Sequence, residues 1–202
     1  MFRYLPLAAI TVLAAPATAQ SGDLAAVQRH LQAVTTLVAD FSQTDRNGQV
    51  LTGTLTWKQP GNIRFQYQKG VPLLIVAEGG ALTFVDYSVK QVQRWPIRNS
   101  PLGVLLDPTR DLSRFAKVVP GDAGDRLVSV EATDPKHPEI GRITLVFARQ
   151  PGAPGGLALQ GWVALDSQNN RTTIRLSDQR YGAPVASNAF RWVDPRRTAG
   201  RK

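Results

Sequence analysis

The sequence predicts a mainly β protein built on an antiparallel sheet, and three observations carry that expectation. In Val50–Tyr67, Leu51, Gly53, Leu55 and Trp57 alternate with Thr52, Thr54 and Thr56. Beyond Pro60–Gly61, Ile63, Phe65 and Tyr67 alternate with Arg64, Gln66 and Gln68. A period of two gives each strand one apolar and one wet face. Similar runs recur about every ten residues between Gly-, Pro-, Asn- and Asp-rich breaks, the pattern of a meander. Finally, just two stretches read as helical.

The elements follow in order. Residues 1–19 read as a secretory signal peptide: a positive start at Met1–Phe2–Arg3, an apolar run Leu5–Ala15, and the small-x-small site Ala17–Thr18–Ala19. That places residues 20–194 in a single exported domain and leaves 195–202 as a basic, disordered tail. Ser21–Gly22–Asp23 can cap a helix. After it Leu24, Val27, Leu31, Val34, Leu37, Val38 and Phe41 recur at three- and four-residue steps, one stripe on a helix of about five turns. The stripe fits a helix docked on a sheet, and it fits equally a lid over a cavity. Asn47–Gly48 is a turn signal ahead of the opening hairpin. Strands are expected at Leu73–Ala77, Ala81–Val85 and Gln91–Ile97. Ser100–Pro101 then starts a short helix, Leu102–Leu106. Further strands are expected near Ala116–Val119, Leu127–Ala132, Ile143–Ala148, Leu157–Leu165, Arg171–Arg180 and Phe190–Val193. About 10–11 strands could curl around more space than their own side chains fill, or could stack as a solid sandwich. The pattern leaves both open.

Composition narrows the function. The chain of 202 residues has no cysteine, which excludes disulfides, thiol catalysis, thiolate metal sites and an N-terminal lipid anchor. Its net charge of +9 could attract anionic headgroups or acidic partners, or serve solubility alone. Nucleic acid is not expected for an exported chain. His30 falls beside the helical stripe and His137 sits in a Pro-bounded loop, neither with a metal-ligand partner at the usual spacings. No nucleophile elbow, phosphate loop or dinucleotide fingerprint is present. Asp45, Asp86, Asp122, Asp125, Asp134 and Asp166 fall in turns, where turn chemistry accounts for them. Neither a cofactor nor a metal is expected, and the chain does not read as an enzyme.

A set of residues then points to a family. Phe41-x-Gln43, Gly53-x-Leu55-x-Trp57-x-x-Pro60 and Arg64–Phe65-x-Tyr67 resemble the periplasmic outer-membrane lipoprotein carrier proteins (LolA). The resemblance continues through Pro72, Ile75–Val76, Glu78–Gly79, Tyr87, Gln91–Val92 and Pro101…Leu105–Leu106. It covers about Leu24 to Leu106, and its order and spacing carry it. It implies an unclosed, strongly curved antiparallel half-barrel with an α-helical lid. It implies a monomeric periplasmic chaperone that receives lipoprotein acyl chains from an inner-membrane ABC-type exporter and passes the lipoprotein to an outer-membrane acceptor. Three acyl chains expose on the order of 40 methylenes, each costing roughly 0.8 kcal/mol in water, so such cargo needs a shielded passage.

On this reading the lipid-binding cavity is lined by Leu55, Trp57, Ile63, Phe65, Tyr67, Val76 and Phe84. The lid contacts are Val34, Leu37, Val38, Phe41, Leu105 and Leu106. Members of the family often carry an arginine just before the proline matching Pro60, thought to hold the lid shut; here Gln59 stands there. By strand parity Gln59 shares the inward face with Trp57 and Leu55, which makes it the latch candidate, though a neutral one. Two other functions fit the same residues. A binding protein of the same shape for another lipid or glycolipid would release that lipid on extraction. A secreted hydrolase would lose activity with a single carboxylate-to-amide change.

Overall fold

The structure, a computed structural model, describes residues 17–120, 126–134 and 137–196, with side chains from Gly22 onward. Helix α1 spans Ala17–Ala33. Strands β1 to β6 follow as Thr36–Thr44, Val50–Lys58, Asn62–Tyr67, Leu73–Glu78, Ala81–Asp86 and Gln91–Pro96. A connection with the short helix α2, Gly103–Leu106, leads to β7 to β11: Ala116–Val119, Leu127–Thr133, Arg142–Arg149, Leu157–Leu165 and Arg171–Tyr181. All eleven strands form one antiparallel sheet in the order β6-β5-β4-β3-β2-β1-β11-β10-β9-β8-β7. The edge strands β6 and β7 do not pair, so the sheet is an unclosed half-barrel, as the resemblance implies. They are consecutive in the chain, and residues 97–115 run from one edge to the other.

One face of the sheet is largely apolar, with Gln43 on β1 and Asp86, Gln91 and Gln93 at the β5–β6 side as its polar positions. Its rows read Leu37–Trp57–Ile63–Ala77, Ala39–Leu55–Phe65–Ile75 and Phe41–Gly53–Tyr67 across β1 to β4. On the other side of β1, Phe41 pairs with Leu176, and a further row runs Ile174–Trp162–Leu145–Val130 from Gln43. The apolar residues of these rows join Val27 and Leu31 of α1 and Val104, Leu105, Leu106 and Leu112 of the connection in a single buried cluster. The cluster lies on the concave side, between the sheet and its helical cover. Gly53 is required there: a Cβ at this position would lie 2.8 Å from the Phe41 ring and closer still to the Gln66 carbonyl. Gly53→Ala is therefore expected to cost about 1–3 kcal/mol through forced repacking, checked by urea unfolding against the parent protein.

Two sequence expectations are corrected. The helix stops at Ala33, because Val34, Thr35 and Thr36 are β-branched and the carbonyls of Thr35 and Thr36 serve other partners. Thr35 O accepts from Gln59 N at 2.9 Å, and Thr36 O from Gly182 N at 3.0 Å. Leu37, Val38 and Phe41 thus lie on central strand β1, not on a helix. Phe190–Val193 is not a strand. Residues 183–196 run irregularly over the convex face, where Phe190 and Trp192 pack on Leu74, Val76 and Val85. The Arg64 guanidinium holds them by donating to Arg191 O at 3.0 Å. Residues 1–16 of the expected leader, 197–202 of the tail, and Asp122 and Asp125 lie outside the described residues. Pro195, within the expected tail, is buried.

Candidate functional site

The concave face carries a run of edge-to-face aromatics. Phe41 meets Phe65 at 5.4 Å and Tyr67 at 5.3 Å between ring centres, and Phe65 meets Trp162 at 6.0 Å. The rings stand at inward positions of β1, β3 and β10, so the sheet's register sets the cluster. Tyr67 donates its hydroxyl to Gln43 Oε1 at 2.8 Å. Burial pushes its phenol up to about 12, so it stays a neutral donor at physiological pH.

The cover has two parts. The first is the edge-to-edge connection. Its turn α2 buries Val104, Leu105 and Leu106 on the sheet. Gln59, just past the end of β2, donates from Nε2 to Leu105 O at 2.8 Å. Gly61 N, in the same turn, donates to Leu106 O at 3.0 Å. Two hydrogen bonds from the β2–β3 turn therefore reach the last carbonyls of α2. Neither is charged, so each contributes about 0.5–1.5 kcal/mol.

The second part is α1, seated on the buried cluster by Val27, Leu31 and Val34. Asp23 pairs with Arg149 at 2.5 Å. His30, fully buried, contacts Pro154 O through Nδ1 at 2.8 Å and lies edge-on to Phe147 and Tyr181. A carbonyl partner makes Nδ1 the protonated nitrogen. Gly155 passes so close that a Cβ there would meet His30 N at 2.6 Å. Gln28 ties the two parts together: its Nε2 donates to Pro108 O at 3.2 Å, and its Oε1 accepts from Leu112 N at 3.0 Å.

The expected site residues divide as follows. Leu55, Trp57, Ile63, Phe65 and Tyr67 are buried side by side on the concave face. Phe84 pairs with Ile75, placing it in the concave row, and it is only half-buried. Val76 is misplaced by one residue: it pairs with Thr83 and points to the convex face, under Phe190. An all-apolar strand such as Leu73–Ala77 shows no alternation to fix its parity. Leu105 and Leu106 belong to the cover. Val34 packs where α1 ends; Leu37 and Phe41 belong to the wall, and Val38 faces outward. Gln59 does bond a cover carbonyl. Gln28 and His30 were not expected; both fall off the apolar stripe, and nothing in the spacing marks their long-range partners.

The expected partly empty interior is not seen. A cleft of about 850 Å³ lies at the rim, lined by Gly61, Ile97, Gly103, Leu106, Arg110 and others. Another of about 520 Å³ lies beside Gly53 and Tyr67. Neither touches Leu55, Trp57, Ile63 or Phe65, which pack against one another and the cover. This is a closed arrangement, and a guest would have to part the contacts. Among the described residues, two buried side-chain atoms have no hydrogen-bond partner: Trp57 Nε1 and His30 Nε2. Among the described residues there is no cluster of metal-ligating side chains, and no helix is long and apolar enough to cross a membrane.

Comparison with known proteins agrees with this architecture. Residues 32–193 match the family model described as outer membrane lipoprotein carrier protein LolA. An outer-membrane lipoprotein carrier protein from Chromobacterium violaceum is 30% identical, covering 97% of this chain and 95% of its own. One from Dechloromonas aromatica is 27% identical over 89% and 88%. Among solved structures, an uncharacterized conserved protein from Thermus thermophilus superposes with a TM-score of 0.50 at 11% identity, covering 86% of this chain and 95% of that one.

Proposed function

The chain belongs to the LolA family of outer membrane lipoprotein carrier proteins, and from that premise we propose that it carries lipoproteins through the periplasm by housing their acyl chains between the concave face and the helical cover. The family is one of carriers rather than enzymes. The exporter of the inner membrane would load the protein, and an acceptor at the outer membrane would empty it.

The observation that supports this most is the contrast between wall and cover. The wall is an apolar face held by continuous strand ladders. The turn α2, which closes over it, is joined to the facing β2–β3 turn by two neutral hydrogen bonds. Lifting α2 exposes leucines and the aromatic run together. A guest's methylenes then replace the contacts that the cover's side chains gave up. Both states bury apolar surface, so their energies stay close and the cargo can leave. The packed interior fits this scheme, because an empty greasy chamber would be costly to keep open in water.

The direct test is extraction. The protein is incubated with vesicles carrying a triacylated lipopeptide, and the soluble fraction is assayed. A soluble one-to-one complex is the expected result; lipopeptide that stays entirely with the vesicles contradicts the proposal. Gln59→Arg adds a charged donor opposite the α2 carbonyls, and charged bonds are roughly twice as strong as neutral ones. Its dissociation rate for a fluorescent fatty acid is expected to fall on the order of fivefold. An unchanged or faster rate would remove Gln59 from the latch.

A further inference from the structure

Trp57 is 1% exposed, and its indole N–H has no acceptor among the described residues. An unpaired buried donor forfeits its bond to water and is uncommon in a folded protein. The neighbourhood shows why it stays unpaired. Trp57 lies between Leu37 of β1 and Ile63 of β3, side chains with no acceptor. The strand backbone around it is committed to the ladders. Gln59, two residues along and on the same face, spends its amide on Leu105 O and Gly61 N. A donor is thus held in an apolar face, at the end of β2 that lies beneath α2.

We propose that Trp57 Nε1 is the recognition point for an acyl carbonyl of the cargo. This rests on the carrier reading above and adds to it a polar contact that a plain hydrocarbon pocket lacks. An acylated lipid is apolar along its chains and carries one strong acceptor per chain, the ester or amide carbonyl at the head end. Seating the chains along the aromatic run brings that carbonyl toward the mouth, where the indole waits. The bond forms in a dry surrounding, so it counts in full, and the donor left unsatisfied in the closed state gains a partner only when cargo is bound. The contact selects for acyl over alkyl linkage and fixes how deep the chains sit. A neutral donor leaves it weak enough to break at delivery.

The test compares a diacyl ester lipid with the dialkyl ether lipid of equal chain length, in the full chain and in Trp57→Phe. The parent protein is expected to bind the ester about fivefold to tenfold more tightly than the ether. The ratio of ester to ether affinity, rather than either affinity alone, should collapse in Trp57→Phe. The indole Nε1–H resonance of Trp57 in the parent protein should move downfield with the ester and not with the ether, which decides the matter even if the variant folds poorly. Equal affinities in the parent, a preference that survives in Trp57→Phe, or a resonance that ignores the ester would overturn the role of Trp57 and leave the carrier reading standing. Failure of both lipids to bind the parent would overturn the carrier reading itself.

Discussion

Replacing Leu105 and Leu106 together by alanine is expected to unseat the cover while leaving the sheet folded. Both side chains are almost fully buried, at 1% and 2% exposure. Truncating a buried leucine costs roughly 2–5 kcal/mol. Here that cost falls on the closed arrangement, since α2 belongs to no strand ladder. The two neutral hydrogen bonds from Gln59 and Gly61 cannot offset it. Amide exchange should therefore accelerate by more than a hundredfold across residues 97–115, with the β1–β3 amides still protected. A hydrophobic dye that ignores the parent should bind the variant. Loss of protection throughout the sheet would mean that α2 is ordinary core.

The second large effect is expected from pH and centres on His30. Burial holds its imidazole below the ordinary value of 6.5, with the hydrogen bond to Pro154 opposing only part of the shift. Its folded pKa is thus depressed, so the native state binds fewer protons than the unfolded chain. The stability it contributes is complete above pH 6.5 and is lost as pH falls from 6.5 toward the folded value. Each unit in that window costs up to about 1.4 kcal/mol per proton. Protonation would also place a charge between Phe147, Tyr181 and the apolar side of α1. His30→Gln should lower stability at pH 7.5 but flatten its dependence between pH 7.5 and 5.5. Urea midpoints across that range read the slope, and an unchanged slope would show that another group sets it.

Much of this molecule was legible in its sequence. The paired runs around Pro60–Gly61 gave the hairpin and its inward residues, because Thr and Gln alternate with aromatics there. The strands from Leu73 to Tyr181 were found at their observed places, since turns separate them. Strand β1 was not, because Leu37, Val38 and Phe41 satisfy a helical step after Val34 while Leu37, Ala39 and Phe41 equally satisfy a strand step. Only tertiary pairing with Trp57 and Leu176 decides between these. Phe190–Val193 reads as a strand, but Phe190 and Trp192 pack on Leu74, Val76 and Val85 of the convex face and serve as an outer strap. The contact of Gln59 with Leu105 O was legible through the family resemblance together with strand parity. The seat of α1 was not, for Gln28 and His30 act on residues about 80 and 124 positions away, and no local pattern encodes such distances.

The most direct test of the central claim is to map where the cargo's hydrocarbon lies. A triacylated lipopeptide bearing a photoreactive diazirine on an acyl chain would be bound, irradiated and the adducts located by mass spectrometry. Adducts on Trp57, Phe65, Tyr67 and Leu105 are the expected result. Adducts confined to the convex patch around Val76 and Phe190, or to the rim cleft near Arg110, would contradict transport inside the half-barrel.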